Sequence, residues 1–200
     1  MMNVYLDLDR TLFNTDLGVE IIWQEIATIS PDVDASKQLA SRSNFYSYND
    51  DAYAYDLASH IESLGLDSGF IFKRLQNAEI ADGRLEYGGV AALVDWIRAS
   101  GGEVRVLTYG IDDYQRLKAS LCPSLRGVEV LTTMGSKMDL LRDRGRLWLI
   151  DDKVPSRLAE NVNFVQVTAY NGVTDATNGR FLVASSLYRV VEILAKNDKV

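Results

Sequence analysis

The stretch "YLDLDRTLFNT", residues 5 to 15, places two carboxylates at the end of an apolar segment. Apolar side chains alternate there with Asp7 and Asp9, and the polar pair Arg10 and Thr11 follows. A short apolar run bounded by polar residues is typical of a buried strand. An aspartate inside such a strand is costly unless another group balances its charge. The rest of the chain must therefore supply the partners of these two aspartates.

Composition limits the classes of protein to consider. The chain has 200 residues, 47% hydrophobic and 24% charged, which suits one domain or a core with an inserted lobe. A net charge of -7 disfavours non-specific binding to a nucleic-acid polymer, although a small anionic substrate can still meet a locally positive site. The single Cys122 cannot form an intramolecular disulfide, which fits a reducing cytoplasm.

No segment resembles a membrane anchor or a targeting sequence. The longest apolar runs are far shorter than a membrane span, and acidic residues interrupt the N-terminal segment where a signal peptide needs an apolar run. We therefore expect a cytoplasmic protein with no membrane partner. The sequence does not predict its oligomeric state.

Strand and helix patterns alternate through most of the chain. The strand patterns lie at residues 4–8, 104–108, 147–150 and 164–167, with a weaker one at 128–131. The helical patterns between and after them lie at residues 90–99, 114–120, 138–142, 156–161 and 187–196. Such alternation predicts an α/β fold, a Rossmann-like parallel sheet with flanking helices. Residues 168–183 contain Asn-Gly turn signals and are expected to form a loop or a small hairpin.

The segment from residue 16 to residue 86 does not follow this alternation. It contains helical patterns at residues 20–29, 35–42, 53–64 and 69–76. We therefore predict a core domain formed by residues 1–15 and 87–200, and an inserted all-helical cap formed by residues 16–86.

Polar side chains converge at the carboxyl ends of the predicted strands, where open parallel sheets bind their ligands. The group comprises Asp7, Asp9, Thr108, Lys137, Asp151 and Asp152. Each residue alone has a structural explanation as a cap, a turn residue or a solvated charge. Together, however, clustered carboxylates repel one another unless a cation neutralises them. A hard divalent ion such as Mg²⁺ suits oxygen ligands, so the set predicts a metal-assisted site that handles an anion.

Four of these segments, in order, resemble the motifs of the haloacid dehalogenase (HAD) superfamily. The stretch from Asp7 to Thr11 is similar to the first motif, DxDx[TV], and Thr108 to the second. Lys137 resembles the third-motif lysine, and "LIDD", residues 149–152, the acidic fourth motif. The resemblance covers the predicted core and implies a helical C1-type cap between the first two motifs. Dehalogenases lack a carboxylate at the position of Asp9, so its presence here implies phosphoryl transfer.

The resemblance also implies a role for each site residue. Asp7 would attack phosphorus, and Asp9 would protonate the leaving group and then deprotonate water. Thr108, Tyr109 and Lys137 would bind the substrate's phosphoryl group. The carboxylate of Asp7, the backbone carbonyl of Asp9 and the carboxylate of Asp152 would bind Mg²⁺. Asp151 would either bind the metal through water or orient Lys137.

These roles imply a phosphatase that acts on a small phosphorylated metabolite, with a nucleotide or a sugar phosphate as plausible substrates. Two alternatives remain open at this point. One is a phosphomutase or phosphotransferase of the same superfamily, and the other is a catalytically idle binding protein with the same fold.

Two further features of the sequence leave their roles open. The segment "NFYSYNDDAYAYD", residues 44–56, contains five aromatic residues that either stack on a ring of the substrate or, more commonly, pack inside the cap. His60 is expected to be a surface or packing residue. Arg10 stands where the superfamily commonly has glycine, and we expect it to pair with the acidic cluster or, less commonly, to touch the leaving group.

Overall fold

The computed structural model describes residues 2–49, 52–168, 177–178 and 180–197. The strands are β1 (Asn3–Leu6), β2 (Tyr46–Asn49), β3 (Ala52–Tyr55), β4 (Glu103–Tyr109), β5 (Glu129–Thr133), β6 (Leu147–Asp151), β7 (Val162–Val167), β8 (Thr177–Asn178) and β9 (Phe181–Ala184). The helices are α1 (Thr15–Ile29), α2 (Ala35–Ser41), α3 (Leu57–Ser63), α4 (Ser68–Gln76), α5 (Val90–Ala99), α6 (Asp112–Ser120), α7 (Lys137–Leu141) and α8 (Leu187–Asn197). Short 3₁₀ turns lie at Arg42–Phe45 and Pro123–Leu125.

In the described part of the chain, seven strands form one sheet in the order β5-β4-β1-β6-β7-β9-β8. All neighbouring pairs from β5 to β9 are parallel, and only the short β8 runs antiparallel to β9. The predicted parallel α/β sheet is therefore confirmed. β1 lies between β4 and β6, so the segment that follows it emerges beside the ends of both neighbours.

Side chains of β1 alternate between two apolar clusters, as the period of a strand requires. Val4 and Leu6 belong to the larger cluster, whereas Tyr5 belongs to a smaller one that also contains Met138 and Leu141 of α7. Because both faces of the strand are covered, its sequence is apolar at the buried positions Val4, Tyr5 and Leu6. This burial holds the following loop in a fixed place.

One predicted core helix is absent. Residues 156–161 form turns between β6 and β7 rather than a helix. The side chain of Arg180 donates hydrogen bonds to the carbonyls of Ala159 and Glu160, and the amide of Val162 donates to Ala159 as well. These carbonyls therefore accept hydrogen bonds other than those of an α-helix. Of the turn signals at residues 168–183, Asn171 and Gly172 lie outside the described residues, whereas β8 and β9 pair as a short hairpin.

The described part of the inserted segment contains the four helices α1 to α4 and also two strands. The prediction of an all-helical cap is therefore wrong. β2 and β3 form a separate antiparallel pair, and β3 occupies the start of the predicted helix at 53–64. The alternating tyrosines of "YSYN" and "AYAY" have the period of a strand, and aromatic residues favour strands. The helix α3 begins only after Asp56, whose side chain accepts a hydrogen bond from the amide of Ser59.

His60 is a packing residue inside the inserted segment, as expected. Its ring is buried, stacks on Phe45 with 3.9 Å between centroids, and lies 2.7 Å from the hydroxyl of Tyr55. That hydroxyl also accepts a hydrogen bond from the indole of Trp23. The bonds tie the hairpin to α1 and α3. None of the helices in the described residues has the length and apolar character of a membrane span.

Candidate active site

Asp7, Asp151 and Lys137 meet at the carboxyl edge of the sheet. The amide of Asp7 donates to the carbonyl of Ile150 at 2.8 Å, which places Asp7 beside the end of β6. Nζ of Lys137, the first residue of α7, lies 2.5 Å from Oδ1 of Asp7 and 2.7 Å from Oδ2 of Asp151. The structure thus brings together residues that lie up to 144 positions apart, as the strand-end argument predicts.

These carboxylates form a cluster that fits a divalent cation. Carboxylate oxygens of Asp7, Asp151 and Asp152 all lie within 4.8 Å of one another. Burial raises the pKa of Asp7 to about 7, and repulsion from Asp151 adds to this rise while Lys137 opposes it. Burial also raises the pKa of Asp151 and of Asp152. A hard cation held by these oxygens would relieve the repulsion, so the chemistry of the donor set suits Mg²⁺.

Asp151 and Asp152 have different surroundings. Oδ1 of Asp151 accepts a hydrogen bond from the amide of Lys153 at 2.8 Å, and its other oxygen holds Lys137. The amide of Asp152 donates to the hydroxyl of Thr11 at 3.0 Å, which connects the loop after β1 to the end of β6. Asp151 therefore contacts Lys137 directly, as the second of its two predicted roles, the orientation of Lys137, requires.

Asp9 faces a different lysine, Lys118, which none of the four motifs contains. Nζ of Lys118 lies 2.5 Å from both carboxylate oxygens of Asp9, and the Lys118 side chain is only 2% exposed. Thr15 donates to Oδ1 of Asp9 at 2.7 Å, and Gln115 donates to Oδ2 at 3.1 Å. Burial alone raises the pKa of Asp9, but the Lys118 charge and these hydrogen bonds outweigh it, and the net shift is downward.

A signal for Lys118 exists in the sequence of α6. Tyr114, Leu117 and Leu121 form an apolar stripe at helical spacing, and Lys118 falls inside that stripe. A lysine on the buried face of a helix requires a carboxylate partner. Nothing in the sequence says which carboxylate, since Asp9 lies 109 residues away.

Thr108 lies behind the site and does not line it. Its side chain is fully buried, and its hydroxyl donates to the side-chain oxygen of Gln115 at 3.1 Å. The amide of Gln115 in turn donates to Asp9 and to the carbonyl of Tyr109. In this structure Thr108 therefore reaches the site only through Gln115. Tyr109 does line the cavity, and its hydroxyl has no hydrogen-bond partner among the described residues.

The loop after β1 turns sharply at Arg10, which has a φ of 60°. This left-handed conformation is strained for a residue with a side chain, and it explains why glycine suits the position. The carbonyl of Leu8 accepts hydrogen bonds from the amides of Leu12 and Phe13, which close the turn. The guanidinium of Arg10 lies 3.4 Å from Asp16 rather than in contact with the acidic cluster, so the expected pairing with that cluster is not seen.

A cavity of about 1170 Å³ opens onto these groups. Asp7, Asp9 and Lys137 line its core side. Residues of the inserted segment line it as well, among them Arg42, Tyr46, Tyr53 and Tyr55. The inserted segment therefore borders the same cavity as the converged carboxylates and lysines.

Solved structures with the same fold are haloacid dehalogenase-like proteins. One is a haloacid dehalogenase-like hydrolase from Burkholderia xenovorans, with a TM-score of 0.65 and 14% identity over 98% of this chain and 97% of that one. A HAD phosphatase from Thermococcus onnurineus gives a TM-score of 0.59 and 17% identity over 97% and 98%. The HAD-hydrolase YfnB from Bacillus subtilis, bound to magnesium, gives a TM-score of 0.53 and 8% identity over 96% of this chain and 98% of that one.

No protein-family model and no curated protein sequence matches the chain. The likeness therefore rests on structure, and it shows that the chain has the haloacid dehalogenase fold. The resemblance drawn from the four motifs is confirmed at this level.

Proposed function

We propose that the protein is a Mg²⁺-dependent phosphatase that hydrolyses a small phosphate monoester through an aspartyl-phosphate on Asp7. The observation that carries this proposal is Lys137, which contacts Asp7 and Asp151 beside a third carboxylate at the edge of the sheet. One ammonium and a carboxylate cluster suited to a cation together complement the negative charge of a phosphoryl group. Residues 16–86 act as a C1-type cap, residues 1–15 and 87–200 as the core, and the protein works in the cytoplasm.

In the first half of the reaction, a carboxylate oxygen of Asp7 attacks phosphorus and the ester P–O bond breaks. Asp9 must enter this half protonated, against the lowering of its pKa by Lys118, and it gives its proton to the leaving oxygen, so an alcohol departs. Lys137 donates to a phosphoryl oxygen, and Tyr109, which lines the cavity, contacts the substrate. Mg²⁺ held by Asp7, Asp152 and the carbonyl of Asp9 would supply charge to the phosphoryl oxygens.

In the second half, water attacks the phosphorus of the aspartyl-phosphate, and Asp9 takes the proton of that water. Inorganic phosphate leaves, and both aspartates return to their starting states. Lys118, Thr15 and Gln115 hold the ionised Asp9 that this half requires. Thr108 supports the same carboxylate by fixing Gln115.

The test is phosphate release from a panel of phosphorylated metabolites, with Mg²⁺ and with a chelator. We expect Mg²⁺-dependent release that Asp7→Asn abolishes and that Asp95→Asn, a change at an exposed residue of α5, leaves unchanged. Phosphoryl transfer to a second metabolite without release would favour a phosphotransferase. Binding of a metabolite with no turnover of any kind would favour the idle alternative.

A further inference from the structure

The β2–β3 hairpin presents four tyrosines on one face. Tyr46 pairs with Tyr55 across the hairpin, and Tyr48 pairs with Tyr53. Residues two apart on a strand share a face, and directly paired residues share it as well. The register therefore gathers all four rings on the same side, with 4.9 Å between the centroids of Tyr46 and Tyr53 and 5.7 Å between those of Tyr46 and Tyr55.

Three of these rings, Tyr46, Tyr53 and Tyr55, line the cavity that contains Asp7, and we name them the tyrosine wall. Tyr48 lies on the same face but is 72% exposed and does not line the cavity. The hairpin thus contains both the wall and a matched tyrosine outside it.

Packing inside the insert explains only part of the wall. Tyr55 is fixed by its hydrogen bonds to Trp23 and His60, and its ring meets Tyr114 edge-on at 5.5 Å. Tyr53 is held less closely. Its ring contacts those of Tyr46 and Tyr48, yet the residue is 52% exposed although it lines the cavity. An exposed aromatic face inside a concave site is a surface for a ligand.

Two arginines that line the cavity each interact with a tyrosine of the wall, Arg42 with Tyr46 and Arg10 with Tyr53. Arg42 lines it next to Tyr46, and its charge and hydrogen bond oppose the rise that burial causes in the pKa of Tyr46. Arg10 lines it from the loop after Asp9. Tyrosine faces stack on flat rings, and guanidinium groups bind the polar edges and faces of such rings. The combination suits an aromatic ring that carries polar atoms at its edge.

The cavity has room for a substrate that reaches from Asp7 to the tyrosine wall. About 1170 Å³ exceeds the usual range for drug-sized ligands, and it is more than a phosphorylated sugar alone fills. A phosphate on Asp7, a sugar and a ring on the wall together fit within this space.

We propose that the tyrosine wall binds the aromatic base of the leaving group, so that the substrates are nucleoside monophosphates rather than simple sugar phosphates. This inference rests on the proposed phosphatase function, and it selects between the two substrate classes that the sequence leaves open. Tyr53 contributes stacking area, Tyr46 and Tyr55 complete the surface, and Arg42 contacts the edge of the base.

The test compares AMP with ribose 5-phosphate, which has the same phosphate ester but lacks the base. We expect kcat/KM to be higher for AMP, and Tyr53→Leu to lower the AMP value on the order of tenfold, the usual scale for loss of one base-stacking ring. Tyr53→Leu should leave the ribose 5-phosphate value unchanged, and Tyr53→Phe should retain the preference because it keeps the ring. Tyr48→Leu is the matched control and should change neither value.

Equal kcat/KM for the two substrates, together with no effect of Tyr53→Leu, would overturn the tyrosine wall and leave the phosphatase proposal intact. If neither substrate nor any other monoester is hydrolysed, the phosphatase proposal fails. The wall is then judged by calorimetric binding of AMP. Weaker binding in Tyr53→Leu than in Tyr48→Leu supports it, and equal binding overturns it.

Discussion

Two lysine–aspartate pairs stand side by side in the site, and they differ in charge balance. Lys137 contacts two carboxylates, and a third lies within the same cluster. Lys118 contacts one carboxylate, which also receives hydrogen bonds from Thr15 and Gln115. Asp7 and Asp9 are two residues apart, yet the pKa of Asp7 is raised to about 7 and that of Asp9 is lowered.

The difference separates two tasks. Around Lys137 three carboxyl groups meet one ammonium. A cation would balance their negative charge and would allow a phosphoryl group to bind. Around Lys118 the charges balance, and both carboxylate oxygens of Asp9 already have donors. We therefore assign phosphoryl binding to the Lys137 side and positioning of Asp9 to the Lys118 side.

Of the two lysine variants, Lys137→Met has the larger expected effect. Loss of the ammonium removes the donor to the phosphoryl oxygens, and we expect kcat/KM to fall on the order of 10²- to 10³-fold. The fall should be similar for every phosphate monoester, because all of them present the same phosphoryl group. Steady-state kinetics on an aryl and an alkyl phosphate measure this. A loss confined to one leaving group would contradict the assignment.

Lys118→Met should instead depend on the leaving group. Asp9 without its cation is a poorly positioned acid, so turnover of an alkyl phosphate should fall on the order of 10²-fold, the scale of general acid catalysis. Formation of the phosphoenzyme from p-nitrophenyl phosphate should fall much less, since nitrophenolate leaves without a proton. Rapid-quench kinetics measure both rates. Equal losses for the two substrates would show that Lys118 does not act through Asp9.

A double variant separates this effect from a loss of stability. Lys118→Met leaves the partly buried carboxylate of Asp9, 28% exposed, without its cation, which we expect to lower the free energy of unfolding by about 1–3 kcal/mol. Adding Asp9→Asn removes that charge and should recover much of the stability, but not the activity. Urea unfolding of the single and double variants tests this. Recovery of alkyl phosphate turnover in the stable double variant would contradict the role of Asp9.

Mg²⁺ binding should weaken as the pH falls through about 7, because protons and the cation compete for Asp7. At lower pH the affinity should decline by up to about tenfold per pH unit for each proton displaced. Calorimetric titration with Mg²⁺ at several pH values measures the dependence. In Asp7→Asn the binding should be weaker and should depend less on pH in this range. An identical pH dependence in both proteins would show that Asp7 does not bind the ion.

The smallest expected effect concerns Arg10, in the loop that carries both aspartates. Its φ of 60° is strained for arginine and for alanine but free for glycine. We expect Arg10→Gly to be more stable than Arg10→Ala by about 1 kcal/mol in the free energy of unfolding. Both variants lose the same exposed contact with Asp16, so that contact cancels. Equal stabilities would show that the turn relaxes without strain.

The strand ends that meet at the site could be predicted because apolar strands and polar breaks are local features. Asp7, Lys137 and Asp151 follow directly from that pattern and from the rule for parallel sheets. The predicted helix at 53–64 includes the end of β3, because the period-two signal in "AYAY" is short and continues into a true helix. Residues 156–161 form no helix, and Arg180 binds the carbonyls of Ala159 and Glu160. Arg180 is about twenty residues away, so the local pattern does not indicate this contact.

The Lys118 pair and the position of Thr108 show what a list of motifs leaves out. Thr108 matches the second motif, yet its hydroxyl is bound to Gln115 behind Asp9. Gln115 and Lys118 lie on the helix after Thr108, and they reach Asp9 only because α6 packs against the loop after β1. That packing is a long-range property, and a buried lysine in an apolar stripe indicates only that some carboxylate is near.

The most direct test of the account is to trap the phosphoenzyme. Protein mixed with a turned-over phosphate monoester and Mg²⁺ is quenched in acid within one turnover, and its peptides are analysed by mass spectrometry. We expect one added phosphoryl group on Asp7, absent without Mg²⁺ and absent in Asp7→Asn. Undiminished phosphate release by Asp7→Asn, or a phosphoryl group on another residue, would contradict the central claim that Asp7 is the nucleophile.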